Sequence, residues 1–383
     1  MAGSQKSNNA MHTVAITGAG LWTPEEFVTN EELVEAYNGW ASRFNETHAA
    51  EIAAGTETEK PLSSAEFVEK ASGIKQRYTY CKDGILDIDR MRPKLPERAP
   101  EELSHQGEMA VRAAEKALAA AGRSGADVDM VIVSCAYTQR AYPAIAIEVQ
   151  QALGIQGFGF DMLVACSAAT FALHRAHDAI AAGSARCALV INPELTTPQI
   201  NFKDRDGHFI FGDVATAVVL ERTEAATAPH VYEVLGSKAV TVYSNNIRSD
   251  FGYLSYADDS DPFGDSKLFR QNGRKVFKEV CPMAAEHLAA QVADVGVEVG
   301  DVKRWWLHQA NINMNELIAR RLLGRDPEFM EAPIVLDKYA NTASAGSIIA
   351  FNLYHEDLAP GDYGVICSFG AGYSIGSLAV RKR

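Results

Sequence analysis

Three side chains in this 383-residue chain are of the types that covalent carbonyl chemistry uses. Cys166 follows the apolar run FGFDMLVA and opens the small-residue, then amphipathic, stretch SAATFALHRAHDAIAAG. That pattern places it at a strand–helix junction, where unpaired N–H groups and the positive end of the helix dipole favour thiolate and lower the thiol pKa. The Ala, Ser and Thr around it leave room for a substrate. His308 ends the strand WWLHQAN, from which an imidazole can reach a cleft at the sheet's edge, and Asn341 lies in YANTASA. Such a trio suits two chemistries. In a hydrolase, Asn orients His and His activates Cys. Alternatively His and Asn both donate hydrogen bonds to an oxygen gaining negative charge, such as a thioester enolate, while Cys carries an acyl group. The run SFGAGYSIGS at 368–377 adds glycines that let the backbone bring an N–H close to a reacting atom.

Other chemistries lack their residues. GAGLWTP at 18–24 follows a strand but has neither the third glycine nor the acidic partner of a dinucleotide loop. No Walker A or H-E-x-x-H motif occurs, and no cysteine pair has metal spacing. The expectation is an enzyme without a resident cofactor or metal.

An internal repeat brings the trio together. MAVRAAEKALAAAGRSGADV at 109–128 aligns without a gap on MAAEHLAAQVADVGVEVGDV at 283–302. Each reads as an alanine-rich helix stopped by Gly122 or Gly296 and followed by an apolar strand. FDMLVACSAAT at 160–170 then matches VLDKYANTASA at 335–345, which sets Cys166 against Asn341. Each copy closes on Phe-Gly and a β-rich run. If a pseudo-twofold axis relates the copies, their strand–helix junctions face one another beside His308.

The first copy predicts strands at 12–20, 130–136, 158–164, 187–193 and 214–221, with helices at 106–122, 143–153 and 167–182. Such alternation is that of an α/β layered fold. The halves are expected at 11–222 and 223–383 with no flexible linker. Segments 38–66 and 81–102 read as insertions lying over the surface. Residues 1–10, MAGSQKSNNA, read as a loose extension before a natural start at Met11, without the apolar core of a secretory signal.

Composition narrows the setting. With 36 Lys and Arg against 49 Asp and Glu, the net charge of −13 argues against nucleic acid and anionic membrane as partners. No run of about 18 apolar residues could span a bilayer. Six scattered cysteines suggest reduced thiols and a cytoplasmic location.

Over nearly all of 11–383 the chain resembles the 3-oxoacyl-[acyl-carrier-protein] synthase III family of the thiolase-like superfamily. The resemblance rests on Ala-Cys-Ser-Ala at 165–168, His-Gln-Ala-Asn at 308–311, Asn-Thr-Ala-Ser at 341–344 and Gly-Ala-Gly-Tyr at 370–373. Ile-Phe-Gly-Asp at 210–213 and Gly-Arg-Lys-Val-Phe-Lys at 273–278 are further landmarks. It implies an α/β thiolase-like fold, two duplicated βαβαβαββ-type halves packed as a five-layer αβαβα pseudo-dimer. The implied activity is an acyltransferase performing a decarboxylating Claisen condensation in fatty acid biosynthesis. Cys166 would take the acyl group of an acyl-CoA. His308 and Asn341 would then stabilise the enolate of malonyl-acyl carrier protein as carbon dioxide leaves.

The resemblance also assigns the surroundings. Backbone N–H groups of Cys166 and Ala371 would hold the oxyanion, Ala371 standing where the family usually has glycine. Phe67 replaces a tryptophan that stacks on the CoA adenine. Ala71 replaces one CoA-contacting arginine, while Arg205 keeps another. Asn313 replaces an arginine used toward the carrier protein, and Arg320 and Arg321 remain as a basic patch for that acidic partner. Tyr142 aligns with an aromatic that closes the partner's acyl pocket in a homodimer. Together with the two insertions it points away from an acetyl-only enzyme toward a medium-chain acyl-CoA primer. A specialised-metabolite ketosynthase or acyltransferase of the same fold, with another acceptor, is the alternative reading.

Overall fold

Successive side chains of a strand point to opposite faces, and here each face feeds a different core. In the strand Met130–Cys135, Met130 and Ile132 enter one apolar cluster while Val131 and Val133 enter another. In Val302–Leu307, Trp306 joins the first of these clusters, whereas Trp305 and Leu307 join a third. Strands buried on both sides read as continuous apolar runs, which is why they are visible in the sequence.

The computed structural model describes residues 11–261 and 264–383. The expected extension at 1–10 lies outside the described residues. The chain begins with β1 (Val14–Trp22), β2 (Phe27–Thr29), α1 (Asn30–Thr47), α2 (Ala49–Ala53), α3 (Ala65–Ser72) and β3 (Gln76–Tyr78). Next come α4 (His105–Ala121), β4 (Met130–Cys135), α5 (Ile145–Leu153), β5 (Phe158–Leu163), α6 (Ala168–Ala181), β6 (Cys187–Glu194) and β7 (Val214–Arg222). Then follow β8 (Tyr232–Thr241), β9 (Ile247–Arg248), β10 (Arg270–Gln271), α7 (Gly273–Asp294), β11 (Val302–Leu307) and α8 (Ile312–Leu323). The chain ends with α9 (Leu336–Tyr339), α10 (Ala345–Leu353), β12 (Tyr363–Gly370) and β13 (Ser374–Lys382).

Among the described residues, nine strands run in the order β11-β12-β13-β8-β1-β7-β6-β4-β5. Outward from the β1–β8 contact the order β1-β7-β6-β4 mirrors β8-β13-β12-β11, and β5 adds an edge strand to the first half only. That contact is slight, only Ala15 opposite Glu233 and Ile16 opposite Tyr232. What joins the half-sheets is α6 and α10, whose Leu173, Ile180, Ile348 and Phe351 pack with strand residues of both halves. Helices α4 and α5 cover one outer face, and α7 and α8 the other. The layers are therefore helix, sheet, helix, sheet, helix, a thiolase-like arrangement. Among the described residues no helix is long and apolar enough to cross a membrane.

The glycines of GAGLWTP serve packing. A Cβ on Gly18 or Gly20 would lie 2.2 or 2.3 Å from a carbonyl oxygen of α4, so these glycines let that helix rest directly on β1.

The segment 38–66 departs from expectation. Its first ten residues belong to α1, which starts at a capping box. Thr29 Oγ1 accepts the Glu32 N–H at 3.2 Å and Glu32 accepts the Thr29 N–H at 3.0 Å. Leu33, Val34, Tyr37 and Ala41 then bury one face of the helix. Segment 81–102 is irregular but does not merely cover the surface. Ile85 and Met91 are buried in a fourth cluster with Phe211, Leu336 and Ala340, directly behind the loop that carries Asn341.

Candidate active site

The two matching junctions share a strained backbone, although the one at Asn341 follows a short helix and not the expected strand. Cys166 lies in a single 3-10 turn, Ala165–Ser167, between β5 and α6, and Asn341 lies between α9 and α10. Ala165 has φ 44° and Ala340 has φ 58°. Left-handed backbone costs a residue with a Cβ about 1–2 kcal/mol. Both halves hold that strain at the residue just before the polar side chain.

Asn341 is fixed from three sides. Its N–H donates to the Ile210 carbonyl at 3.0 Å, and its carbonyl accepts the Gly212 N–H at 3.1 Å. Its Oδ1 accepts the Ala343 N–H at 2.9 Å, which leaves the side-chain NH2 to face elsewhere. His308 follows β11, its N–H bonded to the Cys367 carbonyl at 2.8 Å and its ring edge-on to Phe369 at 5.1 Å between centroids. Only 2% of its surface is exposed, and among the described residues Nδ1 has no partner in hydrogen-bond geometry. Burial pushes the imidazole down to about 3, with the Ala343 backbone opposing. It is a neutral ring at ordinary pH, able to donate one N–H.

Cys166 meets the end of β12. A Cβ on Gly370 would lie 2.5 Å from the Cys166 Cβ, so glycine is what permits the approach. The cysteine keeps part of its surface open, yet burial pushes its thiol up to about 12 and Glu194 adds to that. The Ala371 and Cys166 backbone groups pull the other way, which places both beside the sulfur. The expected lowering by a helix end is thus corrected. Helix α6 starts two residues after the cysteine, and desolvation with a buried carboxylate outweighs it. No thiolate–imidazolium pair stands ready, and among the described residues no hydrogen bond joins His308 to Asn341. Both facts count against the hydrolase arrangement.

Two cavities meet at the thiol. One, about 900 Å³, is lined by Cys166, His308, Asn341, Phe67 and Arg205. The other, about 410 Å³, is lined by Cys166, Ala371, Phe211, Phe269, Arg248 and Asp250. Among the described residues, His308 and Asn341 line the first and not the second. The structure therefore brings the trio, Ala371, Phe67 and Arg205 to one site. The Arg205 guanidinium rests 3.9 Å from the centroid of the Phe67 ring, one stacking distance, so no base fits between them in this conformation.

Three expected residues lie elsewhere. Tyr142 is 84% exposed and lines neither cavity. Arg320 and Arg321 occupy the last turn of α8, where cations suit the helix dipole, and Arg320 is paired with Asp326. Sequence reasoning passed over Arg274, exposed at the mouth of the larger cavity, with Lys275 and Lys278 exposed nearby on α7. Their clustering in GRKVFK was a readable signal. It also passed over Glu194, a fully buried carboxylate whose link to the site is invisible in sequence. Among the described residues no group of three or more His, Cys, Asp or Glu side chains could hold a metal ion.

Comparison with known proteins agrees with this architecture. The family described as 3-oxoacyl-[acyl-carrier-protein (ACP)] synthase III matches residues 160–239, and its C-terminal part matches 292–382. A β-ketodecanoyl-[acyl-carrier-protein] synthase of Pseudomonas aeruginosa is 55% identical over 349 residues, covering 91% of this chain and all of the relative. The crystal structure of 3-oxoacyl-[acyl-carrier-protein] synthase III from Aquifex aeolicus superposes with a TM-score of 0.74 at 23% identity, covering 96% of this chain and 99% of that one. The priming β-ketosynthase of the R1128 polyketide pathway gives 0.74 at 24% identity, covering 97% and 96%. The structural likenesses show the fold, and the sequence relationship shows the family. The chain belongs to the 3-oxoacyl-[acyl-carrier-protein] synthase III family.

Proposed function

We propose that the protein condenses a medium-chain acyl-CoA with malonyl-acyl carrier protein through an acyl group carried on Cys166. The observation that carries this reading is the position of the thiol where two cavities meet, with His308 and Asn341 on one side only. The acyl chain takes the smaller cavity, and the thioester arms of CoA and then of the carrier enter by the larger. At about 30 Å³ per water in the liquid, 410 Å³ far exceeds what an acetyl group fills. The β-ketodecanoyl product in the relative's name, less the two carbons malonyl supplies, corresponds to an octanoyl primer.

Cys166 Sγ forms a bond to the acyl carbonyl carbon and the CoA sulfur leaves, taking up the thiol proton. The Cys166 and Ala371 N–H groups hold the oxyanion of that step. In the second half-reaction the malonyl carboxylate leaves as carbon dioxide. The electron pair passes to the thioester enolate, whose oxygen accepts hydrogen bonds from neutral His308 and from the Asn341 amide. The carbanion carbon attacks the Cys166 thioester, and the released sulfur takes a proton to restore the thiol. Burial of His308 favours this use, because a ring held neutral donates without bringing a second proton equilibrium to the site.

CoA lies along Phe67 and Arg205, its base taking the outer face of that stacked pair or parting it. The acidic carrier docks where α7 begins. Arg274, Lys275 and Lys278 stand at the end of the helix where the dipole disfavours cations, so local structure offers no reason for them. Arg321, close enough to act on Cys281 of α7, extends the patch. The protein works as a homodimer through edge strand β5, where Phe158, Phe160 and Leu163 are exposed near Tyr142 and Ile147. There Tyr142 closes the partner's acyl cavity. Turnover of an acyl-CoA panel with malonyl-acyl carrier protein tests the reading. Octanoyl-CoA should exceed acetyl-CoA, and the reverse order would refute the primer assignment.

A further inference from the structure

Glu194, the last residue of β6, has no place in the steps above, and its surroundings are unusual for a carboxylate. It is fully buried, and among the described residues no arginine or lysine pairs with it. Its oxygens accept the Ala136 N–H at 3.0 and 3.1 Å, the Ser344 N–H at 3.1 Å and the Ser344 hydroxyl. Ala136 follows β4 in the first half, and Ser344 closes the Asn341 loop in the second. One carboxylate thus spans the halves at the site. Between Asn341 and Ser344 stands Ala343, with φ 47°, whose N–H fixes the Asn341 amide. A strained loop of this kind persists only where its surroundings hold it. Ala136 and Ala343 also line the acyl cavity beside Cys166.

We propose that Glu194 is the positioning residue of the condensing site: it ties the Asn341 loop to the end of β4 and sets a negative charge against the Cys166 thiol. The assignment rests on the condensing function proposed above. The tie keeps the Asn341 NH2 aimed at the enolate oxygen. The charge opposes the free thiolate but not the neutral acyl-thioester, so it favours the loaded enzyme over a bare reactive sulfur. Groups from every neighbouring element share this environment: Asp213 before β7, Cys135 and Tyr137 at the end of β4, and Cys166 before α6. Burial raises all four, and lifts Glu194 to about 7, so that it is ionised in mildly alkaline solution.

Two variants separate the charge from the tie. Glu194→Gln keeps the shape and removes the charge, while Ser344→Ala keeps the charge and weakens the tie. Alkylation of Cys166 by iodoacetamide, followed by intact mass, needs no substrate and so reads the charge even if the proposed substrates are wrong. In Glu194→Gln at about pH 8.5 it should run about tenfold faster, because removing a nearby like charge frees the thiolate. In Ser344→Ala it should stay within about twofold of wild type. Ser344→Ala should slow condensation of pre-loaded enzyme by about tenfold or more, as misplacement of a donor does, while octanoyl loading from CoA changes little; Glu194→Gln, with a freer thiolate, should load octanoyl faster than wild type. Unaltered alkylation in Glu194→Gln overturns the proposal, and so does equal slowing of loading and condensation. Should Glu194→Gln fail to fold, Ser344→Ala decides alone, and full condensation activity in it refutes the tie.

Discussion

Replacing Gly370 by alanine tests whether the approach of β12 to the nucleophile is a working part of the site. The new Cβ would lie 2.5 Å from the Cβ and 3.2 Å from the Sγ of Cys166. Saturated carbons rest about 3.5–4.0 Å apart, so about 1 Å must be found between two stiff pieces of backbone. Gly370 is held in register opposite Ser374, and Cys166 sits in a tight turn after left-handed Ala165. A displacement of that size costs about 100-fold in rate, which is about 2.7 kcal/mol in the barrier. Overpacking should also lower stability by about 1–3 kcal/mol. The assay is acyl-enzyme formation from octanoyl-CoA, quenched and read by intact mass, with a thermal melt to count folded protein. Ala371→Gly is the comparison, because it keeps the N–H and removes only a methyl group, and it should load within about twofold of wild type. The reasoning fails if folded Gly370→Ala loads at the wild-type rate.

Further outcomes follow from the same geometry. A thiol raised to about 12 gains thiolate with every unit of pH, so Cys166 alkylation should climb about tenfold per unit between roughly pH 8.5 and 10, where Glu194 is already ionised; a plateau in that range would contradict the burial argument. Lys275→Glu with Lys278→Glu should raise KM for malonyl-acyl carrier protein about tenfold at low salt, and less as salt screens it. Arg320→Ala, already matched with Asp326, should change that KM little, and the opposite ranking would return the docking site to α8. Phe160→Lys with Leu163→Lys on β5 should convert dimer to monomer in light scattering, whereas an unchanged mass would place the interface elsewhere.

Much of this architecture was legible because its signals are local. Strands β4, β6 and β7 are apolar on both faces, α4 ends at a left-handed glycine, and the repeat sets Asn341 against Cys166 in the sequence itself. Helix α1 is signalled by the Thr29–Glu32 capping box, but the Ala, Thr and Glu composition of 38–66 masks its second half. The state of the thiol was not legible at all. It depends on desolvation and on Glu194, which the chain brings to Cys166 only through the crossover from α6 into β6. The pairing of Arg320 with Asp326 is likewise a three-dimensional fact. A helix end can be read from neighbours in sequence, but a buried charge needs the whole fold.

The order in which the chain is made gives the layered arrangement another meaning. Cys166 belongs to the first half, but the residues that crowd it, Gly370 and Ala371, lie on the last hairpin of the protein. Helix α6 cannot bury its inner face until β12 and β13 arrive, since the central cluster draws on both halves. During synthesis the nucleophile therefore waits as an ordinary cysteine while nearly all of the chain emerges. The same dependence makes truncation unforgiving: loss of the β12–β13 hairpin would strip α6 of its cover and the thiol of its neighbours in one step.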